Sequence, residues 1–188
     1  MKTAVIGAGF MGRVHAEAIR RVPNVDIVAV AAANPAEAAQ FAASIGVEKS
    51  TANYESILND PEVEAVHVCT PNALHFPVSR AALEAGKAVL CEKPLCMSAE
   101  EAEQMVKLAE AKQIANCVNH NLRYYPVVQQ IRCMIAAGEL GDILVVQGTY
   151  SQDWLLYDTD YNWREKAANG PLRVVGDIGS HWMDMVHT

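Results

Sequence analysis

Thr3-Ala4-Val5-Ile6-Gly7-Ala8-Gly9-Phe10-Met11-Gly12 places a short apolar run directly before three glycines in G-x-G-x-x-G spacing, and a helical pattern follows. Between a strand and a helix this motif has a definite mechanical meaning. Gly7 permits the tight turn, Gly9 lets the backbone approach a pyrophosphate, and Gly12 lets the helix pack closely on the strand. The N–H groups at the helix start have no intrahelical partner and attract an anion. Gly7, Gly9, Phe10, Met11 and Gly12 are therefore the expected dinucleotide cradle. A glycine-rich turn without a ligand is the competing reading, and the flanking strand and helix argue against it.

Outward from this turn, short β-branched runs alternate with alanine-rich helical stretches, the pattern of βαβ units in a doubly wound parallel sheet. Strands are expected over 3–6, 25–30, 65–69, 88–91 and 114–118, with helices over 11–21, 35–45, 54–59, 74–85 and 99–111. Asn34 before Pro35 reads as an N-cap with proline at the first helical position. Gly46 and Gly86 follow helical runs as left-handed caps, and Ser98 with Glu101 reads as a capping box. From Asn119 the character changes: a polar and aromatic stretch runs to Tyr125, and a helix over 127–137 follows. A strand over 143–150, an aromatic loop and a last helix from about Ile178 complete the chain. The domain crossing is expected near residue 120, giving domains 1–120 and 121–188. A single strand without sheet neighbours is not stable alone, so the second domain is expected to be the incomplete beginning of an open-sheet α/β domain.

The 188 residues are 51% hydrophobic and 20% charged, which excludes a disordered chain. The net charge is −7 with the basic residues scattered, so no track for a nucleic acid backbone is expected. The longest apolar run, 27–33, is far short of the roughly 20 residues of a membrane span. No signal-peptide apolar stretch is visible, so a soluble cytoplasmic protein is expected. The five cysteines, Cys69, Cys91, Cys96, Cys117 and Cys133, contain no C-x-x-C pair and are read as buried hydrophobes rather than disulfides or zinc ligands.

Dinucleotide sites of this type carry an acid about 20 residues beyond the glycines, bonded to the adenosine ribose. Here that position is Ala32, with Asn34 nearby. No carboxylate grips the 2'-hydroxyl of NAD and no arginine meets the 2'-phosphate of NADP, so the choice between NAD and NADP stays open. Glu92-Lys93-Pro94 follows a strand of the sheet, at the edge where ligands bind, although such a pair also occurs as a plain solvated ion pair. Asp177, His181 and Asp184 are spaced i, i+4, i+7 along a helix. An N-cap aspartate and a satisfied core histidine explain the same residues. Metal binding by Asp177, His181, Asp184 and His187 is a weaker reading, because only the first three share the strictest face.

The glycine turn, Thr70-Pro71-Asn72 with His75, the segment ending Glu92-Lys93-Pro94-Leu95, Asn121 with Arg123, and Asp177-Ile178-Gly179-Ser180-His181 together resemble the glucose-fructose oxidoreductase, inositol dehydrogenase and rhizopine-catabolism (Gfo/Idh/MocA) family. The resemblance covers the whole chain. It implies an N-terminal Rossmann domain and a C-terminal α/β domain for substrate binding and oligomerisation, whose open sheet faces the nicotinamide. Family members are longer, so part of that second domain is expected outside these residues. The resemblance implies catalytic roles for Lys93, Asp177 and His181: Lys93 on the reacting oxygen and the ribose, His181 as general base, and Asp177 orienting substrate or imidazole. It also implies Glu92 on the ribose hydroxyls, and Thr70, Asn72 and His75 lining the ribose and nicotinamide. Asn121, Arg123, Trp163 and Arg164 are implied near the substrate, and a cis peptide before Pro94 is a further family feature.

This reading predicts an NAD- or NADP-dependent oxidoreductase acting on a secondary hydroxyl of a sugar, cyclitol or related polyol, with a homo-oligomer formed through the C-terminal sheet. Oxidation of a secondary alcohol needs a base for the hydroxyl proton, and an imidazole suits the task. A lysine cation stabilises developing alkoxide charge. Two other readings stay open: an NAD-dependent glycoside hydrolase of the same family, and a nucleotide-binding regulator without turnover.

Overall fold

Both faces of β1 (Lys2–Ile6) are covered, and Thr3 to Ile6 are all at most 2% exposed, as expected of a central strand in a parallel sheet. The computed structural model describes residues 1–162 and 172–188, which divide into two compact units, Met1–Asn119 and His120–Thr188. In the first unit β1 is joined by β2 (Asp26–Ala31), β3 (Lys49–Thr51), β4 (Ala65–Val68), β5 (Ala88–Cys91) and β6 (Asn116–Val118). All pair in parallel, in the order β3-β2-β1-β4-β5-β6. The order reverses between β1 and β4, which opens a crevice at the carboxyl edge of the sheet.

Helices α1 (Phe10–Ile19), α2 (Pro35–Ser44), α3 (Tyr54–Leu58), α4 (His75–Glu84) and α5 (Ala99–Lys112) cover the two faces. Side-chain alternation along the strands sorts the core into two clusters. Val5 and Val30 meet Ala16, Ile19, Phe41 and Ala42 on the α1–α2 face. Ala4, Ile6, Val66, Val68 and Val89 meet Ile57, Val78, Leu83 and Met105 on the other. Phe41 is fully buried, and such a side chain contributes about 1.5–3 kcal/mol.

Local chain chemistry acts where the sequence places it. Asn34 Oδ1 accepts from the Glu37 N–H at 2.9 Å. Gly46 and Gly86 take φ +65° and +79°. Ser98 Oγ accepts from the Glu101 N–H at 3.3 Å, while the Glu101 carboxylate reaches back to the Met97 N–H at 3.0 Å, one residue earlier than a standard box. The edge strand β3 is not anticipated, because Lys-Ser-Thr carries neither apolar alternation nor length.

The second unit contains a 3-10 turn (Asn121–Tyr124), α6 (Pro126–Ala136), a π-helical turn (Val175–Gly179) and α7 (Ser180–Val186). The expected strand over 143–150 is not formed. Leu144 and Val145 are 88% and 81% exposed, and without a neighbouring strand the backbone has no ladder to join. Among the described residues this unit holds no strand at all. The expectation that all five cysteines lie in the core is also corrected. Cys69 and Cys91 are buried and Cys96 half-buried, but Cys117 on edge strand β6 and Cys133 on α6 are exposed. Neither has a second layer packed over it.

Candidate active site

Four main-chain hydrogen bonds line up the turns at the carboxyl edge of the first unit's sheet. The Gly7 N–H donates to Ala31 O at 2.8 Å, Cys69 N–H to Ile6 O at 2.8 Å, Glu92 N–H to Val68 O at 2.9 Å, and Asn119 N–H to Cys91 O at 2.8 Å. Each residue leaving a strand is thus tied to the end of its neighbour. Residues distant in sequence are brought to one rim.

The glycine turn has the geometry its sequence predicts. Gly7 sits at φ +118°, and a Cβ there would come within 2.3 Å of Cys69 O. At Gly12 a Cβ would lie 1.9 Å from Gly7 O, so helix and strand meet backbone to backbone. A Cβ at Gly9 would meet nothing within 4 Å, which leaves the approach to the main chain open. Gly9 is also the N-cap of α1, with no side-chain cap and no acidic residue in the first turn. Uncapped N–H groups and the positive helix end suit a pyrophosphate, with Gly9, Phe10 and Met11 as the main-chain donors. Phe10 is 79% exposed and Met11 half-buried at this helix start. Farther along the rim, Thr70 Oγ1 is buried without a hydrogen-bond partner among the described residues. A buried hydroxyl of this kind is suited to a polar ligand group. These observations fit a nicotinamide dinucleotide.

At the end of β2, Ala32 is half-buried against the α1–α2 core and its N–H donates to Thr51 O at 3.1 Å. Asn34 is exposed, but its acceptor oxygen is committed to capping α2; its Nδ2 lies 3.5 Å from Glu37 Oε2. The cap competes with any role for Asn34 as an acceptor toward cofactor.

Beyond β4, Asn72 opens a 3-10 turn (Asn72–Leu74) and is half-buried. His75 stands differently from a residue lining the cofactor. It begins the buried stripe of α4, is 1% exposed, and its Nδ1 and Nε2 lie 2.6 Å from Pro94 O and 2.9 Å from Thr70 O. Both nitrogens face main-chain oxygens, so His75 ties the loop after β4 to the turn after β5. In that turn the Lys93–Pro94 peptide is cis. The Lys93 N–H donates to Glu92 Oε2 at 3.2 Å.

Glu92 is 6% exposed and stands among polar residues that sequence reasoning missed. His15 Nε2 lies 2.9 Å from Glu92 Oε1, and Asn119 Nδ2 donates to the same oxygen at 2.6 Å. His15 Nδ1 lies in turn 2.9 Å from His67 Nδ1, the two rings edge to face. Burial would raise the Glu92 pKa, but the bonds from His15, Asn119 and the Lys93 N–H outweigh it and hold the carboxyl below its ordinary value. Burial, with His15 adding to it, depresses His67 to about 4. The available signal was a polar residue in a core-facing register: His15 shares the buried stripe Gly12, His15, Ala16, Ile19, and His67 stands between Val66 and Val68.

In the second unit Asp177 lies on the π-helical turn and His181 in α7. The His181 ring packs edge to face on His120, with centroids 5.5 Å apart. His120 was not anticipated. Arg123 grips Asp184 with a two-pronged contact, Nε to Oδ2 at 2.8 Å and Nη2 to Oδ1. That guanidinium, with His120 and His181 near, lowers the Asp184 pKa against the opposing effect of burial. Arg123, implied near the substrate, is thus engaged with Asp184 within its own unit. Asn121 is exposed at the start of its 3-10 turn. Trp163 and Arg164 lie outside the described residues. Among the described residues no three His, Cys, Asp or Glu side chains are grouped to hold a metal ion, and no helix is long and apolar enough to cross a membrane.

Comparison with known proteins agrees with this geometry. Residues 1–120 match the family described as an oxidoreductase family with an NAD-binding Rossmann fold, and residues 128–188 match the GFO/IDH/MocA C-terminal domain. Levoglucosan dehydrogenase of Pseudarthrobacter phenanthrenivorans is 37% identical over 98% of this chain and 50% of its own length. Glucose-6-phosphate 3-dehydrogenase of Bacillus subtilis is 33% identical over 98% of this chain and 52% of its own. The solved structure of levoglucosan dehydrogenase in complex with NADH and levoglucosan superposes with a TM-score of 0.92 at 36% identity, covering 99% of this chain and 52% of that one. The chain spans about half the length of these relatives. Fold, glycine turn and likeness converge: this chain belongs to the GFO/IDH/MocA family of oxidoreductases, with an N-terminal NAD-binding Rossmann fold.

Proposed function

We propose that this chain carries the dinucleotide-binding machinery, and part of the substrate-binding machinery, of an NAD- or NADP-dependent dehydrogenase acting on a secondary hydroxyl of a sugar, cyclitol or related polyol. The observation that carries the reading is the shared carboxyl rim of the first unit, where the open glycine turn at Gly9, the orphaned Thr70 hydroxyl and the Glu92-Lys93 turn stand on neighbouring strands. The relatives named above are dehydrogenases of sugar-type molecules, which supports the substrate class.

When bound, the nicotinamide supplies the hydride chemistry. The protein's share is position and charge. Main-chain N–H groups at Gly9, Phe10 and Met11 hold the pyrophosphate. Glu92, ionised because its hydrogen bonds outweigh its burial, accepts from ribose hydroxyls. Lys93 stabilises the negative charge that develops on the reacting oxygen. In the second unit the reading gives His181 the role of base for the hydroxyl proton, and Asp177 that of orienting imidazole or substrate. Asn121, Trp163 and Arg164 are assigned to the substrate side. Residues 121–188 are assigned to the substrate-binding and oligomerisation domain, working in a cytoplasmic homo-oligomer.

The test is a calorimetric titration of the chain with NADH and with NADPH. Saturable binding is expected, weakened when Gly9 is replaced by a bulky residue. Failure to bind either dinucleotide overturns the reading. A panel of polyols assayed by nicotinamide absorbance then separates net oxidation from a glycoside cleavage that leaves the cofactor unchanged.

A further inference from the structure

His15 belongs to the buried stripe of α1, yet it is a polar ring only 4% exposed, and the cofactor-binding role of the glycine turn does not account for it. Its two nitrogens have different partners. Nε2 faces Glu92 Oε1 at 2.9 Å, and Nδ1 faces His67 Nδ1 on β4, also at 2.9 Å.

The hydrogens can be assigned from chemistry. Glu92 is ionised and only accepts, so the proton on this contact belongs to His15 Nε2. The Asn119 amide, 3.2 Å from the same nitrogen, is a second donor converging on Glu92 Oε1 and not a partner of the ring. With the Nε2 hydrogen as the ring's single proton, Nδ1 is bare. The contact between the two Nδ1 atoms then requires His67 to carry the proton and donate it. Burial keeps His67 neutral, consistent with that role. The result is a directed chain: His67 donates to His15, and His15 donates to Glu92.

The consequence falls on the Glu92 carboxylate. Oε1 is held by two donors, the buried His15 and the half-buried Asn119, so the group cannot turn part-way about its last bond without leaving a charged oxygen unsatisfied. Among the described residues, Oε2 receives only the long Lys93 N–H bond of 3.2 Å and keeps accepting capacity. We infer that His15, set as its Nε2–H tautomer by the Glu92 carboxylate and met at Nδ1 by His67, is a positioning residue for the Glu92-Lys93 turn, holding the carboxylate so that its second oxygen serves a ribose diol of the dinucleotide. The carboxylate-to-diol part rests on the function proposed above; the tautomer lock does not.

The experiment has two readouts on the full chain. In protein labelled with 15N-histidine at pH 7, His15 is expected to show a protonated Nε2 and a bare Nδ1, and His67 the reverse; single variants assign the signals. In His67→Leu the His15 Nε2 is expected to keep its proton, while the bare Nδ1 signal shifts toward that of a nitrogen without a hydrogen-bond donor. The second readout is NADH affinity. Glutamine can place an amide N–H near the position of the imidazole Nε2, so His15→Gln is expected within about 3-fold of the parent. Leucine has similar bulk and no donor, so His15→Leu is expected to bind about 10-fold more weakly or worse. Equal affinities for the glutamine and leucine variants would mean that His15 only fills space and would overturn the inference, as would a His15 signal carrying its proton on Nδ1. If the parent chain binds no NADH, the dinucleotide reading falls, and the nitrogen spectra still decide the tautomer lock.

Discussion

Replacing His67 by leucine should change how stability responds to acid more than how large it is at neutral pH. Inside the first unit His67 is neutral down to about pH 4, mainly because of burial and secondarily because of His15, whereas in an unfolded chain its ordinary value is 6.5. The folded pKa is the lower of the two, so protons favour the unfolded chain. The stability the parent retains by keeping this ring neutral is complete above about pH 6.5 and is lost as pH falls toward 4. Linkage converts the difference into roughly 2 kcal/mol lost by pH 5 and about 3 kcal/mol by pH 4. His67→Leu removes this component, so the gap in unfolding free energy between parent and variant should shift in the variant's favour by about 2 kcal/mol between pH 7 and pH 5. Carboxylates that titrate in the same window act on both proteins and drop out of the comparison, apart from Glu92, which is linked through His15. Urea unfolding should be followed by circular dichroism at 222 nm. The three tryptophans, Trp154, Trp163 and Trp182, all belong to the second unit, and their fluorescence follows the wrong part of the chain. A gap that stays constant to within about 0.5 kcal/mol across this range would refute the assignment of a buried neutral ring.

Three further outcomes follow from particular contacts. Gly12→Ala would gain helix propensity on an open helix, but here its Cβ would lie 1.9 Å from Gly7 O; chemical unfolding should show a loss of at least about 2 kcal/mol, with dinucleotide binding weakened in calorimetry. Asn34→Ala removes the acceptor that caps α2, so thermal unfolding of the first unit should register a loss of about 1 kcal/mol, whereas Asn34→Asp should be nearly neutral. Ala32→Asp places a carboxylate at the end of β2, where it bonds a 2'-hydroxyl and repels a 2'-phosphate. The ratio of NADH to NADPH affinity should rise at least about 10-fold; an unchanged ratio would mean that the adenosine ribose lies elsewhere.

Much of the first unit is legible residue by residue because the controlling physics is local. A G-x-G-x-x-G turn needs conformations and clearances that only glycine allows, and Gly7 and Gly12 show both. Asn34 before Pro35 and Ser98 before Glu101 cap helices through atoms at most four residues apart. Apolar runs without alternation report strands covered on both sides. The failures have equally local causes. β3 is three polar residues made a strand by β2 beside it, and the apolar stretch over 143–150 has strand composition but no ladder to join.

The candidate site divides along the same line. Glycines, the Glu92-Lys93-Pro94 turn and the Asp177 to His181 segment can be named from the chain alone, because each is a short pattern with its own chemistry. The environment of those groups cannot. The sequence determined that a glutamate would follow β5; tertiary structure decided that it would be a buried, ionised carboxylate held by His15 and Asn119, partners 77 and 27 residues away. His75 reads as a residue facing the cofactor and becomes an internal tie, because α4 turns it inward between two main-chain oxygens. Arg123 reads as a residue near the substrate and is met by Asp184, 61 residues distant. A hydrogen bond or a change in dielectric depends on which segments become neighbours. In the first unit that is set by the strand order of the parallel sheet and the packing of helices on it, and in the second by the packing of α7 on the 3-10 turn, neither of which a short window of sequence contains.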